Sequence, residues 1–274
     1  MLLNPQFPEA SMPSRDQYPA FTELLPLIEI REGRYLVRFA RTRHELDEIL
    51  RLRFEIFNLE LAEGLVSSYS TGRDEDPFDR ICHHLAVIDE PNGQVVGTYR
   101  IQTGIMAAAG QGFYSAGEFN LCSLPAEIIN DAIELGRACI AAEHRNTQVL
   151  YLLWKGLAAY LQHNQKRYLF GCCSLTSQAP AEGAALYRQL MKEGWLHPAI
   201  YVEPHSHLAC LADEVDLAGV KPPAIPRLFR TYLRFGVKVC GPPAIDRQFK
   251  TIDYFVIFDV AQMNAFSRRM FFGG

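Results

Sequence analysis

The most constraining stretch of this 274-residue chain is Tyr168–Leu175, YLFGCCSL, whose nearly unbroken apolarity suits a strand buried on both faces at the centre of a sheet. Such a strand needs helices to cover it, and the chain supplies them. VLYLLWKGLAAYLQ reads as an apolar helix just before it, and Pro180 opens another through Met191, with Gly194 at the usual stop position beyond. GRYLVRFA and AIELGRACI read as further strands, and CHHLAVID and QVVGTYRIQ flank the turn-forming Glu90, Pro91, Asn92 and Gly93. That pattern predicts an antiparallel hairpin with His83 near Arg100.

Thr42 stands three residues before Glu45, a capping box that opens a helix with Leu46, Ile49, Leu50, Phe54, Ile56 and Phe57 near the helical period. Arg53 shares that stripe. A cation there calls for a carboxylate partner, because an unpaired buried charge is costly, unless it snorkels at the helix edge. By composition, residues 1–33 form a loosely ordered arm, 34–210 the core, and 211–274 an extension packed on it. In the extension, RLFRTYLRFGVKVCG is basic and amphipathic, either a contact for an anionic membrane or a helix with its arginines in solvent.

A formal charge of -4 argues against a general polyanion binder, so no nucleic-acid partner is expected. The seven cysteines are scattered without zinc spacing, which suits a reducing cytosol. The N-terminal stretch has proline and both charge signs where a signal peptide needs an apolar run. The expected location is therefore cytoplasmic, or peripheral at the inner face of a membrane. His205 and His207 in PHSH lack a third nearby ligand, and no metal is expected.

Four motifs follow one another in order: Arg53 with Phe57 on the helix, Asp76 with Asp79 in a loop, His84 and Arg100 on the hairpin, and Glu134 with Arg137 on the next strand. Together with DEDPFDRICHHLAVID, VVGTYRIQ, ELGRACI, LLWKGLAAYLQ and YLRFGVKVCGPPAIDRQFKTIDYFVIFD, this order resembles the ornithine-acyl carrier protein N-acyltransferases and N-acyl amino acid synthases. These are relatives of the acyl-homoserine-lactone synthases. The resemblance implies an α/β acetyltransferase-like (GNAT) fold, a twisted mixed sheet flanked by helices, and transfer of a long-chain or 3-hydroxy fatty acyl group. The implied donor is acyl carrier protein and the implied acceptor an amino acid, ornithine first. N-acylation of glycine or an aromatic amino acid, lactone synthesis, and a noncatalytic acyl-carrier or lipid-binding module are the alternatives.

Two departures bear on these. Leu61 and Leu65 stand where lactone synthases place a tryptophan, and AAEHRNTQ replaces a glycine-rich pyrophosphate loop. A glycine-free turn wraps a pyrophosphate less closely, which favours acyl carrier protein over coenzyme A. Arg145, Asn146 and Thr147 at the helix start are expected to hold the phosphopantetheine phosphate, or else form a plain cap. No cofactor beyond this cosubstrate is expected.

Aminolysis of a thioester needs a proton acceptor, oxyanion donors and a dry acyl site. Glu134 is the expected acceptor, directly or through one water, with Arg137 and Arg100 beside it in the catalytic set. A bulge at Gly136 would bring Glu134 and Arg137 to one face; otherwise the charged set is a structural floor. Arg53, Phe57, Asp76, Asp79 and His84 are expected around the substrate, the two aspartates attracting a cationic amino acid or else forming a solvated acidic turn, and His84 as a structural hydrogen-bonding histidine rather than a base. Backbone amides where ELGRACI and YLFGCCSL splay are the expected oxyanion donors. Lys155, Lys166 and Arg167 offer contacts to an acidic carrier, and the role of Tyr187 as thiol acid is open.

Overall fold

The computed structural model describes residues 18–210, 217 and 219–272. One twisted sheet of nine strands organises them, in the order β1-β2-β3-β4-β5-β6-β9-β7, with β8 also on β9. The strands are β1 (Ile30–Glu32), β2 (Tyr35–Phe39), β3 (His83–Asp89), β4 (Gln94–Thr103), β5 (Ala132–Ile140), β6 (Tyr168–Leu175), β7 (Lys238–Val239), β8 (Ala244–Asp246) and β9 (Thr251–Asp259). All neighbouring strands are antiparallel except β5 and β6, which run parallel. This is the mixed sheet expected, with β5 and β6 at the bounds their apolar runs set.

The helices are α1 (Arg43–Phe54), α2 (Ser68–Thr71), α3 (Gly104–Ala109), α4 (Ala126–Asn130), α5 (Thr147–His163), α6 (Pro180–Lys192), α7 (Arg227–Arg234) and α8 (Ala265–Phe272). Side chains alternate across a strand, so each face has its own cover. On one face, Phe39, Leu85, Tyr99, Ile101 and Ile133 bury against α5, and Cys173 and Tyr254 against α6 and α7. On the other, α1 presses Ile49 on Ala86, and the connection holding α3 and α4 covers Phe170, Phe255 and Ile257. The Thr42–Glu45 capping box forms as expected, and α1 then widens into a π-helical segment, Glu55–Glu60, which carries Phe57.

Two expectations change and a third is sharpened. Residues 1–17 of the arm lie outside the described residues; from residue 18 on, Ala20 and Leu25 are buried, and β1 pairs with β2. The arm's polar composition hid a few anchoring contacts. The C-terminal segment, expected to pack on the core, does so as part of the sheet, with β9 pairing along the whole of β6. In the hairpin, His84 rather than His83 faces Arg100, since a register shift falls between Val87 and Ile88. His83 points to the α5 face, where it meets Tyr160 Oη at 2.8 Å.

The pairing of β5 with β6 ends at Leu135 and Gly171, beyond which β5 pairs only with β4, and β6 only with β9. The sheet opens there into a fork. At its apex Gly171 lies so close to β5 that a Cβ would stand 2.2 Å from the Leu135 carbonyl oxygen. Gly171→Ala must therefore push the strands apart, and overpacking of this kind costs about 1–3 kcal/mol. A urea midpoint equal to that of the wild type would show that the fork has slack.

Candidate active site

A cavity of about 840 Å³ runs through this fork, joining the two faces of the sheet. Gly136, Arg137, Ala138, Cys139, Cys172, Cys173 and Ser174 line it where the strands part. Beyond Leu135 and Gly171 the inner edges of β5 and β6 no longer pair with each other, which leaves their backbone amides facing the fork. The α5 side of the cavity is apolar, lined by Leu153, Trp154, Leu157, Leu161, Phe235 and Phe271 among others. The opposite side is polar, with Arg100, Gln102, Tyr114, Ser115, Glu134 and Asp253.

Beside the polar end lies a buried charge lattice. Arg53, fully buried, donates from Nε to Asp74 at 2.8 Å and from Nη1 to Asp79 at 2.6 Å. Arg100 donates to Asp76 at 2.6 Å and to Asp79 at 3.2 Å, and Arg137 donates to Asp76 at 3.1 Å with Asp74 3.3 Å from its Nε. Three guanidinium groups thus face three carboxylates, and the lattice is neutral overall. Burial opposes the charge on Asp79, but Arg53 and Arg100 outweigh it and hold the carboxyl well below its usual range. Burial likewise opposes the charge on Arg100, which Asp76 and Asp79 overcome, raising its pKa.

His84 completes the lattice, 3.1 Å from Asp79 through Nε2 and 3.0 Å from the Tyr18 hydroxyl through Nδ1. Burial pulls its pKa down against the pull of Asp79, so the ring is neutral, with Nε2–H donating and Nδ1 accepting. The Asp76–Asp79 pair has a local origin too. Asp76 caps the turn Pro77–Arg80, and Asp79 accepts from the Asp76 amide.

The expected substrate contacts are redistributed accordingly. Phe57 lines the cavity, whereas Arg53, Asp76, Asp79 and His84 do not, because their polar groups are turned into the lattice. Asp76 and Asp79 are saturated by arginines and present no free charge to a cationic amino acid.

Glu134 and Arg137 do reach one face, by a bulge that lies at Arg137 rather than at Gly136. Arg137 takes φ 49°, in the left-handed region, and the β4–β5 register shifts between Thr98 and Arg100. Its guanidinium then sits 4.2 Å over the Phe249 ring and 4.9 Å over that of Tyr114. Such strain at a non-glycine residue persists only where the surroundings hold it, here the two rings and two aspartates.

Glu134 does not pair with the arginines. It accepts from the amides of Tyr114 and Ser115, both at 2.7 Å, and from the Ser115 hydroxyl at 2.6 Å. Burial raises its pKa while these three donors oppose the rise. A carboxylate has about four lone-pair sites, so one remains for a proton in the cavity.

At the expected phosphate site, Arg145, Asn146 and Thr147 all line the cavity. Asn146 caps α5 by accepting from the Val149 amide at 2.9 Å, and Arg145 is engaged by Glu60 at 2.7 Å. The cap expected as the alternative therefore forms, with the amides of Thr147 and Gln148 ahead of the capped one. Lys155 is tied to Glu32, Lys166 to the Asn130 carbonyl at 2.6 Å, and Arg167 to Asp259 at 2.7 Å. Tyr187 is buried away from the cavity, against Leu186 and Leu190. Helix α7 packs Phe229 and Leu233 inward with Arg227, Arg230 and Arg234 exposed, the core-packed alternative.

Sequence reasoning missed a second acidic group on the polar side. Glu118, Cys172 and Asp253 bring their donor atoms within 4.8 Å of one another. The signal for Asp253 was present, as an acid inside the apolar strand TIDYFVIFD.

Residues 52–155 match the acetyltransferase (GNAT) domain family. The chain is 31% identical to the L-ornithine N(alpha)-acyltransferase of Agrobacterium fabrum, covering 85% of this chain and 83% of the relative. It is 32% identical to the L-ornithine N(alpha)-acyltransferase of Brucella abortus, covering 86% and 88% respectively. Among solved structures, the N-acyl amino acid synthase FeeM from uncultured soil microbes superposes with a TM-score of 0.49 at 11% identity, over 84% of this chain and 94% of that one. The AHL synthase LasI gives 0.46 at 14% identity, over 89% and 97%.

Proposed function

Since the chain belongs to the L-ornithine N(alpha)-acyltransferase family, we propose that it N-acylates ornithine with a fatty acyl group carried as a thioester on acyl carrier protein. The observation that supports this reading is the two-sided cavity, apolar against α5 and polar against β4 and β9, with the strand fork between them. The chain is an acyltransferase, and each half suits one substrate.

The acyl chain lies among Trp154, Leu157, Leu161 and Phe271, where its methylenes leave water at about 0.8 kcal/mol each. The thioester carbonyl reaches the fork, whose edge amides receive the developing oxyanion. On the polar side the α-amine approaches from the Glu134 side. Glu134 takes its proton through the free lone pair, directly or by one water; the nitrogen bonds to the carbonyl carbon, the C–S bond breaks, and the thiolate leaves toward α5 and takes a proton from solvent. The arginine–aspartate lattice fixes the position of Arg100, whose Nη2 is buried without a hydrogen-bond partner among the described residues. It is available to a substrate carboxylate.

Arg227 and Arg234 are exposed and also line the cavity, so they replace Lys155, Lys166 and Arg167 as the contacts for an acidic carrier. No helix among the described residues is long and apolar enough to cross a membrane. Purified protein given ornithine with either acyl carrier protein or coenzyme A as the thioester carrier tests the donor. Acylornithine should form faster from the carrier protein, and Arg227→Glu with Arg234→Glu should raise KM for that donor while leaving KM for the coenzyme A thioester unchanged. Equal rates from both donors, unaffected by the charge reversal, would remove the carrier protein from the account.

A further inference from the structure

We propose that Asp253 and Glu118 form the seat for the distal ammonium of a diamino acid acceptor, an inference that rests on the function proposed above. Asp253 projects from β9 onto the cavity wall beside Ser174, its partner across β6. Its Oδ1 and the Oε2 of Glu118 are buried and have no hydrogen-bond partner among the described residues. The residues are 3% and 6% exposed. Asp253 lines the cavity and Glu118 stands behind it; the two acids share a proton between them, and the remaining oxygen of each is left without a donor that a guest could supply.

The location matches a short diamine side chain. Cys172, within 4.8 Å of both acids, has its sulfur 3.6 Å from Ser115 Oγ, which in turn donates to Glu134. The seat is thus two side chains along the cavity wall from the expected proton acceptor. An amino acid whose α-amine meets Glu134 would direct its side chain toward β9.

Charge surroundings agree. Burial, then the neighbouring Asp253 and Asp246, pushes Glu118 well above the usual carboxyl range, and burial lifts Asp253 to about 6. The titratable groups facing the pair are Asp246 on β8, Cys172 and Cys173 on β6, Arg137 on β5, Tyr254 on β9, Tyr114 after α3 and Glu63 after the π-helical segment. Burial holds the Cys172 thiol protonated and Arg137 is committed to Asp74 and Asp76, so among the described residues no cation is paired with the two acids. When an ammonium docks, the proton held by the pair passes to solvent and both carboxylates face the guest.

Two readouts test this. The first is kcat/KM for ornithine against 2-aminopentanoate, which has the same carbon chain without the distal nitrogen. The wild type should prefer ornithine, and Asp253→Asn and Glu118→Gln should each shrink that preference by about tenfold or more. The second is calorimetry with ornithine, 2-aminopentanoate and 1,4-diaminobutane near pH 6 in buffers of different ionisation enthalpy. Ornithine should release a proton on binding to the wild type and not to Asp253→Asn.

An ornithine preference untouched in both variants would overturn the seat while leaving the acyl transfer intact. If the wild type acylates no amino acid, calorimetry decides alone: ornithine binding lost in Asp253→Asn upholds the seat, and binding equal in both proteins overturns it. Zn²⁺ binding that Asp253→Asn abolishes without weakening ornithine would reassign the pair to a metal and likewise overturn the proposal.

Discussion

Arg53→Met should cost about 3–5 kcal/mol, because it leaves buried carboxylates without their principal cation. Asp79 would keep Arg100, His84 and the Asp76 amide, but Asp74 would retain only Arg137 among its ion-pair partners. Against a typical stability of about 5–15 kcal/mol this is a large fraction. It should appear as a fall in melting temperature of roughly 10 °C for a chain of this size. Arg53→Lys should recover little, since an ammonium cannot reproduce a guanidinium that forks to two aspartates. A loss under about 1 kcal/mol in urea titration would mean that water reaches the lattice and that Arg53 is no keystone.

Glu134→Gln should lower kcat by about 10²–10⁴-fold, the usual range for removal of a positioned proton acceptor. The amide also presents N–H against the Tyr114 or Ser115 amide, which donate to the native carboxylate, so the loop should loosen modestly. A purely structural Glu134 would produce that loosening too. The pH profile of kcat/KM separates the roles: the acidic limb should vanish in Glu134→Gln if Glu134 is the proton acceptor. A limb of unchanged position, with kcat within about threefold of wild type, would contradict the assignment.

Much of the frame was legible because its signals are local. The apolar runs of β5 and β6, the Glu90–Gly93 turn and the Thr42–Glu45 cap each depend on a few neighbouring residues. Arg53 announced a carboxylate by its place on an apolar stripe, and two were found. Pairing over long sequence distances left no such trace. Nothing in DYFVIFDV says that β9 lies against β6, and Ile30–Glu32 is too short and polar to read as an edge strand.

The site divided along the same line. The members of the charge lattice were readable as an ordered set of motifs, except Asp74, but which of them face the cavity and which only pair with one another depends on the tertiary packing. Asp76 and Asp79, the aspartates that promised to attract a cation, are taken up by Arg53, Arg100 and Arg137, while Asp253 and Glu118 each keep a buried oxygen without a donor.

The most direct test of the central claim is mass spectrometry of lipid extracts from a heterologous host that lacks acylated ornithine, with and without expression of this chain. New N-acylornithine species present only with the expressed protein are the predicted result. A folded, abundant protein whose host accumulates no N-acylornithine, with ornithine and acyl carrier protein both present, would contradict it.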